Sequence, residues 1–326
     1  MNVGIVGAGA IGGLLGTRLT VAGARVSAIA RGATAAALRR HGWRLETKEG
    51  ALTAPAIVAE DATTLGPQDL VIVAVKAPAL RDAAPAVAAL IGPDTAVLTA
   101  MNGVPWWFFH GLCGPYAGQT LASVDPDGAI AAAIPADRVV GAVAHLACST
   151  TEPGFVRHGV GNRLIVGEPS GVTTPRIDRI AALLREAGFD TQVTNRIQAE
   201  IWYKLWGNMT MNPVSALTGA TLDRILDDPL VNAFCLGVMR EAATIGAAIG
   251  CPIAQTGEER NAITRKLGAV RTSMLQDVEA GRAVEIDALL ASVREIGARA
   301  GIATPGIDAL FGLARLHART RGLYPL

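Results

Sequence analysis

The sequence predicts an α/β domain followed by an all-helical one. Three observations carry that prediction. A short apolar strand at the N-terminus runs into a glycine turn and then an apolar helix. The rest of the first half alternates apolar runs with helical stretches. The second half strings helical patterns together without strands. With 326 residues the chain is long enough for two domains with sizeable cores. Half of the residues are hydrophobic and 17% are charged, so most of the chain is expected to be folded and buried. A formal net charge of +1 argues against a nucleic-acid binder, which would show a basic face.

Val3-Gly4-Ile5-Val6 reads as the first buried strand. Gly7-Ala8-Gly9-Ala10-Ile11-Gly12 follows and matches G-x-G-x-x-G. The next helix runs through Leu14, Leu15, Leu19 and Val21 and is closed by Gly23. Residues 25–30 form a second strand. Residues 70–75 are a continuous apolar run, as a strand covered on both faces requires. A helix is expected over 78–90, with Pro78 suited to its first turn, and another strand over 96–99. This rhythm implies βαβ units and a parallel sheet. Residues 139–168 are strand-like, and a helix over 175–187 with a strand over 191–193 completes the first domain. Helices are then expected over 197–217, 230–249, 285–300 and 305–318. Pro229, Gly250-Cys251-Pro252 and Gly301 punctuate them. The expected domains are therefore 1–195 and 196–326.

Cys113, Cys148, Cys235 and Cys251 form no C-x-x-C and read as reduced, packed thiols. The five histidines show no metal-ligand spacing, so no metal is expected. The apolar start through Ala22-Gly23-Ala24 lacks the basic region of a signal peptide, and Arg18 interrupts it. No uninterrupted apolar run is long enough for a membrane span, and a cytoplasmic protein is expected.

The strand–turn–helix context makes residues 7–12 a candidate dinucleotide site. Backbone N–H groups and a helix N-terminus would meet a pyrophosphate there. The alternative is a glycine turn used for packing alone. The second strand ends Ile29-Ala30-Arg31-Gly32, with no acid for a ribose hydroxyl. Arg31 offers a planar cation for a 2′-phosphate instead, which favours NADP over NAD, unless Arg31 is a solvated loop cation. Lys76 and Asn102-Gly103 follow strands at the carboxyl edge of the sheet, where such sheets bind ligands; ordinary turn chemistry is the alternative.

The second informative stretch is Ala199-Glu200-Ile201-Trp202-Tyr203-Lys204-Leu205-Trp206-Gly207-Asn208-Met209-Thr210-Met211-Asn212-Pro213. Lys204, Asn208 and Asn212 are spaced by four and share one helix face. Their neighbours are Trp, Leu, Met and Ile, so this stripe should face a cleft. Hydride arriving at a carbonyl carbon creates an alkoxide that needs a proton. Lys204 could supply it while the carboxamides hold polar groups of the substrate. The alternative is an i, i+4 ion pair of Lys204 with Glu200 on a wet face. Ser273 could bond a carboxylate. Glu285 could orient Lys204 or touch the cofactor, or serve only as a helix-start carboxylate.

Taken together, these segments resemble the ketopantoate reductase (2-dehydropantoate 2-reductase) family. The matching pieces are residues 7–12, Val75-Lys76-Ala77, Asn102-Gly103, residues 199–205, Asn208, Asn212-Pro213, residues 273–277 and Glu285-Ile286-Asp287. The resemblance implies a Rossmann-type NADP-binding domain followed by a helical domain, and reduction of a 2-keto acid by NADPH. It implies Lys204 as general acid and Asn102, Asn208, Asn212 and Ser273 as substrate contacts, with Glu285 an active-site carboxylate near the cofactor. Arg31 and Lys76 would face the phosphate and ribose region, and Ala147 would meet the nicotinamide through its backbone. Asn102 is also expected at the cofactor.

The segment between Gly103 and Gly141 is longer than in compact family members and holds Trp106-Trp107-Phe108-Phe109. Those rings could reshape the pocket toward another branched or aromatic 2-keto acid, or pack a subunit interface. An NADPH-sensing protein without turnover is the reading from a different class. The expected partners are a small 2-keto acid and, as an open option, a second copy of the chain; neither nucleic acid nor a membrane is expected.

Overall fold

The computed structural model describes residues 1–325. The chain divides into two compact units. One comprises Met1–Met101 with Gly128–Ile197, the other Asn102–Asp127 with Gln198–Leu326. Segment 102–127, expected within a continuous first domain, therefore folds with the helices.

The strands of the first unit, in chain order, are β1 (Asn2–Val6), β2 (Arg25–Ile29), β3 (Trp43–Thr47), β4 (Gly50–Ala54), β5 (Ile57–Ala59), β6 (Leu70–Val73), β7 (Ala96–Thr99), β8 (Val139–His145), β9 (Cys148–Glu152), β10 (Phe155–His158), β11 (Arg163–Gly167) and β12 (Asp190–Val193). Its helices are α1 (Ala10–Val21), α2 (Gly32–His41), α3 (Ala77–Ala88), α4 (Ala129–Ala133) and α5 (Pro175–Glu186). Eight strands form one sheet in the order β12-β11-β8-β7-β6-β1-β2-β5. The run from β5 to β8 is parallel; β11 is antiparallel to β8, and β12 is parallel to β11. β1 lies between β2 and β6, so the chain winds away from β1 in both directions. That reversal is where open α/β sheets bind ligands.

Strands β6 and β7 are buried at every position, which is why their sequences read as unbroken apolar runs. A second sheet, β4-β3-β10-β9, was not anticipated as a unit. Helix α1 packs on it so closely that a Cβ at Gly13 would lie 2.6 Å from Val156, and one at Gly16 2.6 Å from the Trp43 ring. The glycines of α1 thus have a packing reason beyond its N-terminal turn.

The second unit contains α6 (Ile197–Thr218), α7 (Leu222–Asp227), α8 (Pro229–Ala248), α9 (Gly257–Arg265), α10 (Ser273–Glu279), α11 (Ser292–Arg299) and α12 (Pro305–Thr320). A π-helical turn, Asp287–Ala291, leads into α11. By length and composition α8 is apolar enough to cross a membrane. Arg240-Glu241 interrupt it, and it buries one face, through Cys235, Val238, Met239, Ala242 and Ile245.

The excursion 102–127 is pinned in the same unit. Phe108 packs against Trp202 of α6, with ring centroids 5.9 Å apart, and edge-on against Phe109. Glu295 of α11 accepts the backbone N–H groups of Ala122 and Ser123 at 3.0 and 2.8 Å. Trp106, Trp107, Phe108 and Phe109 are all at most 5% exposed. The four aromatic residues are core, which removes the reason for reading them as a reshaped pocket or a subunit interface.

Candidate active site

The nucleotide turn is built almost entirely from backbone. Gly7 has φ +100°, a conformation side chains avoid, and a Cβ there would sit 2.7–2.8 Å from Val75 and Ala74. A Cβ at Gly12 would come within 2.0 Å of the Gly7 carbonyl oxygen. Gly9, between them, is exposed, and a Cβ on it would meet nothing within 4 Å. The first glycine makes the turn, the third lets α1 pack on β1, and the second leaves open space over the start of α1. That division of labour fits a pyrophosphate approaching the backbone. Ala8, Ala10 and Ile11 lie partly exposed around it. The Ala74 N–H donates to the Val6 carbonyl at 2.9 Å, so the segment leading to Lys76 runs beside the glycine turn. Lys76 precedes the first turn of α3, and Arg31 is exposed just before α2.

In the helical unit, α6 carries the polar stripe expected from the sequence. Its continuation through Pro213 gives up one backbone donor just after Asn212. Trp202 and Trp206 fix its apolar side, their indole N–H groups donating to the carbonyls of Ala242 and Met239 at 3.2 and 2.7 Å. On the polar side, Lys204 Nζ donates to Asn102 Oδ1 at 2.8 Å, rather than to Glu200. Lys204 keeps a strip of accessible surface, yet its ammonium is crowded enough that burial lowers its pKa to about 8, against an opposing pull from Glu285. Glu285 is itself 8% exposed. Residues 102, 204 and 285 are thus brought together. Asn208 is half-buried one turn beyond Lys204, and Asn212 is buried one turn further.

An ammonium with a pKa near 8 is mostly charged at neutral pH and gives up its proton readily. A general acid working at that pH needs this balance.

The chain matches two family profiles: Ketopantoate reductase PanE/ApbA over residues 3–171, and Ketopantoate reductase PanE/ApbA C terminal over residues 196–318. The 2-dehydropantoate 2-reductase of Mesorhizobium japonicum is 43% identical over 325 residues, covering 99% of this chain and 100% of that protein. The chain belongs to the ketopantoate reductase family. A crystal structure from Ralstonia solanacearum MolK2, provisionally described as a ketopantoate reductase, is 59% identical, with a TM-score of 0.96 and 99% of both chains covered. The PanE/ApbA family ketopantoate reductase of Ralstonia eutropha JMP134 superposes with a TM-score of 0.85 at 26% identity, covering 99% of this chain and 100% of that one.

Ser273 is exposed at the first position of α10, while the neighbouring Thr272 is the cap, accepting the Leu275 N–H at 3.2 Å. Ser273 takes no part in the Lys204–Asn102 hydrogen bond. The Ala147 N–H is already committed to the Val160 carbonyl at 2.7 Å, and its carbonyl accepts from Gly159 at 2.8 Å. A hydrogen bond from a nicotinamide amide to the Ala147 backbone would therefore use the second lone pair of that carbonyl. Sequence reasoning missed two contacts beside these residues: the Val104 N–H donates to the Ala288 carbonyl at 2.8 Å, a backbone bond with no side-chain signature, and Tyr324 donates its hydroxyl to Asp287 at 2.6 Å across 37 positions of the chain.

Proposed function

We propose that this protein reduces ketopantoate to pantoate with NADPH, Lys204 delivering the proton. The observation that carries the proposal is the Lys204 ammonium, desolvated and held on the Asn102 carboxamide in a chain of the ketopantoate reductase family.

The turn at Gly7, Gly9 and Gly12, with the N-terminus of α1, would hold the pyrophosphate. Ala8, Ala10 and Ile11 would line it, and Arg31 and Lys76 would take the 2′-phosphate and ribose region. When bound, NADPH supplies the hydride. Asn102, Asn208, Asn212 and Ser273 offer carboxamide and hydroxyl groups to the keto acid, and Lys204 donates its proton to the oxygen that becomes the hydroxyl. Glu285 keeps Lys204 from losing its charge altogether in a crowded setting, because an opposite charge favours the protonated amine. The deprotonated amine recovers its proton from solvent before the next turnover.

We read the enzyme as cytoplasmic and as a homodimer. The second reading rests on exposed apolar side chains, with Leu230 at 81% exposure on α8 and Leu313 and Leu316 at 59% and 61% on α12. Sedimentation of the purified chain checks it.

Consumption of NADPH across a panel of small 2-keto acids tests the main reading. A clear kcat/KM optimum for ketopantoate is expected. A preference for an aromatic keto acid would replace the substrate, and tight NADPH binding without turnover would replace the enzyme by a sensor.

A further inference from the structure

Asn102, which bonds the Lys204 ammonium, and Glu285, whose charge opposes the effect of burial on it, come from distant parts of the chain, yet they hang on one backbone junction. Asn102 accepts the Lys204 hydrogen bond. The next residue, Gly103, has φ +79°, and a Cβ on it would lie 2.5 Å from the Ala288 carbonyl oxygen and 2.6 Å from the Ala288 Cβ. Val104 then donates its N–H to that same carbonyl at 2.8 Å, and Ser292 Oγ donates to it at 2.9 Å. Ala288 belongs to the π-helical turn that begins two residues after Glu285. Within this turn the Ser292 N–H reaches back five residues to the Asp287 carbonyl. Such turns are rare and occur often at functional sites.

The same turn is held from its other side. Tyr324 donates its hydroxyl to Asp287 Oδ1 at 2.6 Å, and Val284, just before Glu285, donates its N–H to the Leu323 carbonyl at 3.3 Å. Arg315 and Arg319 of α12 add their charges around Asp287. The groups that act on Lys204 itself are Asn102 from the excursion and Glu285 from the segment before the turn; Glu200, one turn back on α6, neither bonds it nor contributes to its shifted proton affinity. Residues 319–326 lie beyond the stretch matched by the family profile, which ends at 318.

We infer that Gly103, Ala288 and Tyr324 are positioning residues for the proton donor: they lock Asn102 and Glu285 to one π-helical turn and thereby set the proton affinity of Lys204. The importance of that affinity for turnover rests on the functional reading above; the lock itself does not. Gly103 is required because no side chain fits between residue 103 and the turn. The Tyr324 hydroxyl acts through Asp287 and never needs to reach the substrate. Loosening either side moves Asn102 or Glu285 away from the ammonium. Both losses act in the same direction, because an acceptor and an opposite charge each favour the protonated amine.

The test is a direct titration of Lys204 in the full chain, followed by NMR of lysine labelled at the ε-carbon. The sequence has only four lysines, Lys48, Lys76, Lys204 and Lys266, and Lys204→Arg assigns the signal. Tyr324→Phe, which removes one hydroxyl, should keep the melting temperature close to that of the parent. It should lower the Lys204 midpoint by about half a pH unit. Gly103→Ala should lower it further, by about one unit or more, and cut kcat by a larger factor than it weakens NADPH binding. If Gly103→Ala fails to fold, the Tyr324→Phe titration alone decides. An unmoved Lys204 midpoint in the folded variants overturns the inference, whatever the activity. A midpoint that shifts as expected in a protein that reduces no ketopantoate leaves the lock in place and overturns the proposed function.

Discussion

The candidate nucleotide turn of the N-terminal unit occupies six consecutive residues and works through backbone atoms. The candidate proton-donor site of the helical unit gathers side chains from positions 102, 204 and 285 and works through an ammonium whose affinity its neighbours adjust. In the turn, what matters is the absence of a Cβ at Gly7 and Gly12 and the open space over Gly9. In the helical unit, what matters is which groups surround a lysine. A backbone site is therefore encoded locally and tolerates almost no change at its packed positions. A side-chain site is encoded by the whole fold and can be retuned in small steps.

The largest expected effect falls on the side-chain site. Lys204→Ala should lower kcat by about 100- to 10,000-fold, the usual range for a positioned proton donor. NADPH affinity measured by fluorescence titration should barely change, because the donor acts in the transition state. Equal losses in kcat and in NADPH binding would erase the distinction between the two sites.

The backbone site should divide under mutation as its geometry divides. Gly12→Ala places a methyl group against the Gly7 carbonyl and should cost about 3 kcal/mol of stability, read by denaturant unfolding. Gly9→Ala meets no protein atom but puts a poorer residue at the helix cap, and should cost about 0.5–1 kcal/mol. It should nevertheless weaken NADPH binding about tenfold or more, because its methyl occupies the approach to the helix N-terminus. If Gly9→Ala bound NADPH normally, the turn would be a packing device only.

A smaller effect is expected at Arg31. Arg31→Ala should reduce the preference for NADPH over NADH by about tenfold, on the order of one charge-assisted contact to a phosphate. Equal affinities in the unaltered protein would remove Arg31 from the cofactor site.

The smallest expected effect concerns stability. Burial holds the folded pKa of Lys204 at about 8, below its ordinary 10.5. The unfolded chain therefore binds more protons than the folded one between those values, so folding is penalised below pH 8 and the penalty fades as pH rises toward 10.5. Lys204→Met should accordingly raise stability by about 1 kcal/mol at neutral pH, and by less in alkaline solution. A melting temperature that fell equally at both pH values would indicate that the ammonium is not strained by its surroundings.

The two sites also differ in how readily the sequence displays them. The glycine turn and the runs that became β6 and β7 were legible because a turn without Cβ atoms and a doubly covered strand leave local signatures. The stripe on α6 was legible because helical spacing is local too. Asn102 was visible as a turn residue, but its bond to Lys204 joins positions 102 residues apart in the chain. The place of segment 102–127 among the helices was hidden for the same reason. Its aromatic residues read in sequence as a pocket wall or a subunit interface, and only contacts such as Phe108 on Trp202 show where they belong. The hairpin β3–β4 escaped notice because β4 is mostly exposed and lacks an apolar pattern, whereas its sheet partners β9 and β10 lie in the stretch 139–168 that reads as strand-like. The π-helical turn has no sequence signature at all.

The pH dependence of kcat with saturating NADPH and ketopantoate tests the role of Lys204 most directly. If its ammonium is the proton donor, kcat should be level near neutrality and fall tenfold per pH unit above an apparent pKa of about 8. A kcat that stayed level up to pH 10, or an alkaline limb that survived unchanged in Lys204→Ala, would contradict it.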